Sequence, residues 1–185
     1  MNQMNFTATN KKNQNATIYL VTGPCGVGKS TIAKEIAKNV TRSALLEGDN
    51  IYHMVISGYI KPWEDDGAYL ELFWDNVIAL AENFLKRGIT VVIDYIIYPE
   101  DLKKVVKRLK AKHVEIKYTV LLADENTLLN RDNERDINCQ MGARSIELLK
   151  EFKNLNIDDQ YILDTTGLSI EACMHRIMTD KRFIV

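Results

Sequence analysis

Residues 23–30 read Gly23-Pro24-Cys25-Gly26-Val27-Gly28-Lys29-Ser30 and fit the spacing G-x-x-x-x-G-K-S/T. Residues 17–22 before this stretch are apolar enough for a buried strand, and residues 31–38 after it have the pattern of an amphipathic helix. Strand, glycine-rich loop and helix in this order are the context in which the spacing predicts a phosphate-binding loop. The alternative is a glycine-rich turn without a ligand, which the Lys and Ser at the required positions disfavour.

The glycines Gly23, Gly26 and Gly28 permit backbone angles that a Cβ atom would forbid. Successive N–H groups then point inward and form a nest for an anion, at the positive end of the following helix. Lys29 is expected to reach the β- and γ-phosphates of ATP, and the Ser30 hydroxyl to ligate Mg²⁺. The spacing G-x-G-x-x-G is absent, which disfavours NAD and FAD. The predicted nucleotide-binding residues are Gly23, Pro24, Cys25, Gly26, Val27, Gly28, Lys29, Ser30 and Thr31.

The composition indicates an ordinary domain with no general affinity for nucleic acid or membrane. The 185 residues carry a formal net charge of −1 and contain no apolar run long enough to span a bilayer. Residues 1–15 are polar and Asn-rich without the apolar core of a signal peptide, so we expect a disordered tail before one domain at 16–185. The three cysteines, Cys25, Cys139 and Cys173, are widely spaced, which disfavours a disulfide framework and indicates a reducing cytoplasm.

Short apolar runs alternate with helical patterns along the chain. The predicted strands are 17–22, 43–47, 90–94, 115–122 and 160–164. The predicted helices lie near 29–39, 67–87, 99–111, 124–133, 144–153 and 169–179. This alternation predicts an α/β fold with a parallel sheet covered by helices on both faces. Ligands bind beyond the carboxyl ends of such strands, so the loops that follow them are the candidate site segments.

Two carboxylates lie at or just beyond the carboxyl ends of predicted strands. Asp49 is expected to orient or deprotonate a substrate hydroxyl, or to be the N-cap of a helix that starts at Asn50, and the two roles are compatible. Asp94 ends an apolar strand in the form of a Walker B element, so it is expected to hold Mg²⁺; the alternative is a solvent-facing acid. The next residue is Tyr95, so there is no acid pair for activating water, which favours transfer to another hydroxyl.

Arginines after the fourth predicted strand are candidates for neutralising charge. Arg131 and Arg135 are four residues apart and are expected to share a helix face, with Arg144 a lesser candidate. On a mobile arm they would close over a triphosphate. A solvated charged helix, with Asp132 and Glu134 as partners, explains the same residues equally well.

With these residues in place, the chain resembles the small P-loop kinases. These include nucleoside monophosphate, shikimate, gluconate and adenylylsulfate kinases, chloramphenicol phosphotransferase and tunicamycin-resistance proteins. The likeness covers Thr17 to Thr179 in element order, and the phosphate loop is its one highly specific motif. It implies a three-layer sandwich with a five-stranded parallel sheet of order 2-3-1-4-5 and an arginine-bearing lid. It also implies ATP with Mg²⁺ and phosphoryl transfer to a small acceptor.

The acceptor region departs from particular members of this superfamily. Gluconate kinases carry an arginine near a Pro-Trp pair, but none accompanies Pro62-Trp63, and residues 49–86 contain no Arg. Because nucleoside monophosphate kinases use an arginine in this region, a neutral hydroxyl compound is favoured over a phosphorylated acceptor. Trp63 is expected either to line the acceptor pocket or to be an exposed loop residue.

The sequence therefore predicts an ATP-dependent small-molecule kinase, with a small-molecule acceptor as its partner. Its expected catalytic residues are Lys29, Asp49, Arg131 and Arg135, and its expected metal ligands are Ser30 and Asp94. The alternative is a nucleotide-binding protein that sequesters a ligand or switches shape without transfer. A motor or AAA-type ATPase is disfavoured, because the acid pair is absent and the chain has no room for a helical lid domain.

Overall fold

The computed structural model describes residues 16–109, 114–137 and 140–185. The strands in this part of the chain are β1 (Thr17–Thr22), β2 (Ser43–Glu47), β3 (Thr90–Asp94), β4 (Glu115–Leu122) and β5 (Ile162–Asp164). They form a parallel sheet of order β2-β3-β1-β4-β5, which confirms both the predicted architecture and the strand order that the resemblance implies. β5 begins later than expected because Asp159–Tyr161 form a 3-10 turn.

The helices of the described residues surround this sheet. They are α1 (Lys29–Lys38), α2 (Gly48–Tyr52), α3 (Ala68–Leu85), α4 (Pro99–Leu109), α5 (Glu125–Asn133), α6 (Ala143–Asn154) and α7 (Ile170–Thr179). Local chemistry sets several ends: the Ser169 hydroxyl accepts a hydrogen bond from the Ala172 N–H and caps α7. The predicted tail at 1–15 and the predicted end of α4 at 110–111 lie outside the described residues. Every helix described here is too short or too polar to cross a membrane.

The start of α2 differs from the prediction. The helix begins at Gly48, so Glu47 is its N-cap and the expectation that Asp49 has this role is wrong. Gly48 packs against the ring of Tyr95, where a Cβ atom would not fit. Because glycine occupies this position, the helix can begin directly at the end of β2. Asp49 therefore lies in the first turn of α2, with an exposed side chain.

The core has a part on each face of the sheet because side chains alternate along β1. Ile18 and Leu20 belong to the cluster formed with α3 and α4. Tyr19 and Val21 belong to the cluster formed with α1 and α7. The central strand is thus buried on both faces, as a parallel sheet requires, and its carboxyl end is held rigidly at one edge.

Candidate functional site

The carboxyl ends of β1, β2 and β3 bring the phosphate loop and the predicted acids to the same edge of the sheet. In the strand register, Asp94 lies beside Glu47 on one side and beside Val21 on the other. The phosphate loop follows β1 directly, and Asp49 lies two residues after Glu47. Segments that are far apart in the chain therefore converge here.

The phosphate loop has the backbone geometry that its glycines predict. Gly23 has φ +137° and Gly28, which precedes α1, has φ +102°; other residues rarely adopt such angles. No side chain caps α1, so the first N–H groups of the helix are available to an anion. The Lys29 ammonium folds back over the loop and donates to the Pro24 carbonyl at 3.0 Å.

Asp94 is a buried carboxylate beside Ser30. It is 8 % exposed, so the alternative of a solvent-facing acid is wrong. Burial raises the pKa of Asp94, and the charges of Asp49 and Glu47 act in the same direction; a hydrogen bond from the Ser30 hydroxyl and the charge of Lys29 oppose them. A buried carboxylate with acidic neighbours is an environment that a cation stabilises.

The space around these groups suits a magnesium ion that arrives with a phosphate ligand. A small cavity of about 170 Å³ is lined by Ser30, Glu47, Gly48, Asp49, Asn50 and Asp94. Within the described ranges, no cluster of three or more His, Cys, Asp or Glu side chains is arranged to hold a metal. Mg²⁺ commonly binds through one or two carboxylates together with substrate phosphates and waters, so a hydroxyl and a buried carboxylate fit its preferences.

Arg131 ties the phosphate loop to the segment after β5. Its guanidinium donates to the Val27 carbonyl at 3.1 Å, and to the hydroxyl and carbonyl oxygens of Thr165 at 3.0 and 3.1 Å. α5 ends at Asn133, so Arg135 lies beyond the helix and the expected shared helix face is wrong. Both arginines nevertheless line the same cavity.

Asp132 holds the connection between α5 and α6. Its side chain is buried, 1 % exposed, rather than solvated as the charged-helix alternative supposed. One carboxylate oxygen accepts from the N–H groups of Met141 and Gly142 at 3.0 and 2.7 Å, and the other accepts from Arg135 at 3.3 Å. Burial opposes ionisation of Asp132, but these hydrogen bonds and the Arg135 charge hold its pKa below the ordinary value. Asp132 therefore positions Arg135 beside the cavity.

We expect Asp132→Asn to lower the free energy of unfolding by about 1–3 kcal/mol at neutral pH, because an amide has one acceptor oxygen and no charge, so either Arg135 or the two N–H groups lose their acceptor. Since the native pKa lies below the ordinary value of 3.8, the wild-type advantage is complete above that value and declines as the pH falls through the native pKa. Urea unfolding between about pH 7 and pH 3 measures this difference. It should narrow in acid, whereas Glu134→Gln, at an exposed neighbour, should leave stability unchanged. A difference that is independent of pH would contradict the assignment.

A larger cavity of about 730 Å³ joins these groups. The phosphate loop forms its middle. On the side of β5 it is lined by Arg131, Thr165, Leu168, Ile170 and Cys173. On the side of β2 and β3 it is lined by Asp49, Pro62, Trp63, Leu70, Trp74, Tyr95, Tyr98 and Asp101, with Arg144 and Leu148 from α6. The arrangement can hold a phosphate-bearing molecule and a second molecule in one space.

Most of the predicted site residues meet in this cavity. Its lining contains the loop residues from Cys25 to Thr31 together with Asp49, Asp94, Arg131 and Arg135. Trp63 lines this cavity and is also 66 % exposed, so the exposed position is confirmed and a contact with an acceptor stays a prediction.

The sequence analysis did not single out Trp74, Tyr98 or Asp101 as cavity residues. Trp74 has the pattern of ordinary core. Tyr98 and Asp101 follow the end of β3 by a few residues, and that position is the signal that could have identified them.

Comparisons with known proteins agree with this architecture. The chain is similar to the solved structure of a sugar kinase from Janibacter sp. HTCC2649, at 14% identity and a TM-score of 0.65 over 89% of this chain and 93% of that chain. It is similar to the tunicamycin resistance protein of Deinococcus radiodurans, at 20% identity and a TM-score of 0.59 over 88% and 93%. A gluconokinase from Sinorhizobium meliloti 1021 matches at 16% identity and a TM-score of 0.57 over 90% and 91%. No curated protein sequence matches the chain.

A family model described as an AAA domain matches residues 20–165, which is most of the chain. We expected the chain not to be an AAA-type protein, and this match shows that the expectation is wrong about the family. The basis of that expectation, Tyr95 in place of an acid after Asp94, concerns the reaction rather than the family. The chain belongs to the AAA domain family, and it shares its fold with these solved structures.

Proposed function

We propose that this protein transfers the γ-phosphoryl group of Mg·ATP to a hydroxyl group of a small molecule. The observation that carries the proposal is the 730 Å³ cavity, in which the phosphate loop lies between an arginine-lined side and the side that contains Asp49. A phosphate donor on the loop and an acceptor beside Asp49 would share one space, which is the positioning that phosphoryl transfer needs.

The reaction assigns a role to each group near the loop. The acceptor oxygen attacks the γ-phosphorus, the bond to the bridging oxygen of ADP breaks, and the hydroxyl proton passes to Asp49. Lys29 leaves the Pro24 carbonyl and, with the loop N–H groups, stabilises the charge on the phosphates. Ser30 and Asp94 would hold Mg²⁺, which supplies positive charge to the phosphate oxygens when it is bound.

The two arginines have different roles in this proposal. Arg131 is committed to Val27 and Thr165, so it fixes the shape of the loop and adds positive charge at its edge. Arg135 is held beside the cavity by Asp132 and is 40 % exposed, so its guanidinium can also contact a triphosphate. We further propose the cytoplasm as the place of action, as the cysteine usage indicated; Cys25 and Cys173 are both free thiols.

The test is Mg·ATP-dependent ADP release against a panel of sugar acids, nucleosides, nucleotides and hydroxylated antibiotics. Release that one acceptor stimulates establishes a kinase and names its substrate class. ATP binding with no stimulated release would instead support the alternative of a sequestering or switching protein.

We expect Asp49→Asn to reduce turnover about 10²–10⁴-fold, because the amide can accept a hydrogen bond from the substrate hydroxyl but cannot take its proton. The affinity for ATP should stay nearly unchanged, since Asp49 is exposed and lies in α2, outside the phosphate loop. Steady-state kinetics and ATP titration separate the two effects. Asp75→Asn, at an exposed acid on α3, is the matched control and should leave both quantities unchanged. If Asp49→Asn abolishes ATP binding, the role given to Asp49 is wrong.

A further inference from the structure

The end of the cavity beside α3 and α4 has an aromatic lining. Trp74 and Tyr95 are 2 % and 9 % exposed, and their rings meet edge to face with centroids 6.1 Å apart. Tyr98 stacks on Phe152 with ring centroids 5.8 Å apart. Fixed aromatic rings that line a concave site give it a largely apolar wall.

Asp101 is the carboxylate at this end of the cavity. It lies in the first turn of α4, its side chain is 16 % exposed, and it accepts the Tyr98 N–H at 3.2 Å. Burial raises the pKa of Asp101, while the Tyr98 N–H, the Lys104 charge and the Trp74 indole N–H favour its charged form.

One buried polar group at this end of the cavity, the Trp74 indole N–H, lacks a well-placed hydrogen-bond acceptor within the described ranges. The Trp74 indole nitrogen is buried and lies near Asp101, but among the residues that the structure describes no acceptor meets it with full hydrogen-bond geometry. Buried donors are usually well paired in folded proteins, so a better-placed acceptor would stabilise this nitrogen. A ligand that presents hydroxyl or amino groups at this end would supply partners to Asp101 and, after a small adjustment, to Trp74.

Two basic side chains near this end of the cavity already have carboxylate partners. Arg144 is paired with Glu147 at 3.1 Å, and Lys104 lies 3.9 Å from Asp101. An anionic acceptor would therefore lie against the carboxylates of Asp49 and Asp101. Repulsion of this kind is a means of rejecting the wrong ligand.

We infer that this end of the cavity is the acceptor subsite, and that Asp101 binds a hydroxyl or amino group of an uncharged or cationic polyol that contacts the small exposed parts of Trp74 and Tyr95. The name acceptor rests on the proposed function, but the binding itself requires no transfer. Nucleosides and amino sugars have this chemistry, whereas nucleotides and sugar acids do not.

Binding can be measured without catalysis, because Trp63 and Trp74 are the two tryptophans of the chain. In a Trp63→Phe background, the fluorescence of Trp74 reports on this subsite. With Mg²⁺ and a non-hydrolysable ATP analogue present, the matched pairs are uridine against UMP and glucosamine against gluconate. We expect uridine or glucosamine to change the Trp74 emission and to bind at least about tenfold more tightly than its anionic counterpart.

The role of Asp101 is tested by Asp101→Asn in the same background. The dissociation constant of the uncharged or cationic ligand should rise about tenfold to a hundredfold, the scale for a lost hydrogen bond to a charged group. Affinity for the ATP analogue should not change. The matched control is Glu100→Gln, at the preceding residue, which is exposed and pairs with Lys103 on the surface.

The outcomes separate this inference from the proposed function. Tighter binding of UMP or gluconate, no response to any of the four compounds, or an unchanged constant in Asp101→Asn overturns it. A Trp74 response without stimulated ADP release supports the subsite and refutes the kinase. Release stimulated by the anionic partner alone supports the kinase and overturns the subsite. The compound pairs probe the unsubstituted aspartate, so they decide the question even where Asp101→Asn fails to fold.

Discussion

Lys29→Ala is expected to lower acceptor-stimulated ADP release on the order of 10²–10³, which is the scale for removing one preorganised electrostatic donor. The ammonium of Lys29 already lies at the loop, 3.0 Å from the Pro24 carbonyl, so it needs only a side-chain rotation to meet a phosphate. The bond it would leave is a partly buried one to the Pro24 carbonyl, so its loss should cost at most about 1–3 kcal/mol of stability. The measurement is the turnover rate at saturating ATP and acceptor, with the melting temperature recorded alongside.

The matched control for this prediction lies on the same helix. Lys38 pairs with Glu35 at 2.6 Å on the outer side of α1, where its side chain is 69% exposed. Lys38→Ala removes the same charge from the same helix but not from the loop, so turnover should stay at the wild-type rate. Equal rates for the Lys29→Ala and wild-type proteins would refute the assignment of the loop as a catalytic phosphate site.

The sheet and the phosphate loop could be predicted because their physical requirements lie in neighbouring residues. An apolar run such as 90–94 shows its burial directly, and the helix that follows begins where Pro99 permits it. Gly23 and Gly28 likewise occur at the positions where the backbone takes positive φ. The edge at which Asp94 and Glu47 meet followed from the direction of parallel strands alone.

The side-chain partners around the cavity could not be predicted because segments distant in the chain supply them. Asp132 had the pattern of a surface charge, but Met141 and Gly142, nine and ten residues later, supply the N–H groups that bury it. In the sequence, nothing distinguishes Asp101 from other acids in the first turn of a helix. Trp74, which lies on α3, comes close to it only in the folded chain. Side-chain partners of this kind depend on tertiary packing, which local patterns do not contain.

Gly23→Ala is expected to destabilise the fold and, with it, the phosphate site. The residue has φ +137°, which costs a side-chain-bearing residue about 1–3 kcal/mol. In addition, a Cβ atom at this position would overlap the carbonyl oxygen of Leu121 in β4. That carbonyl cannot retreat easily, because β4 is bonded to β1 along its length, with Thr22 opposite Val120. Overlap with a fixed backbone adds a further cost of about 1–3 kcal/mol or more.

Gly67→Ala is the control that separates the cost of the positive φ from the cost of the overlap with Leu121. Gly67→Ala has the first cost alone, so the difference between the two variants measures the second. Gly67 has a similar φ of +109°, yet nothing lies within 4 Å of the position that its Cβ would take. Urea unfolding should therefore show a loss of about 1–3 kcal/mol for Gly67→Ala and a distinctly larger loss for Gly23→Ala. Equal losses would mean that β1 and β4 separate without cost beside the phosphate loop. The close approach of Leu121 would then not explain why the first residue of this loop is glycine.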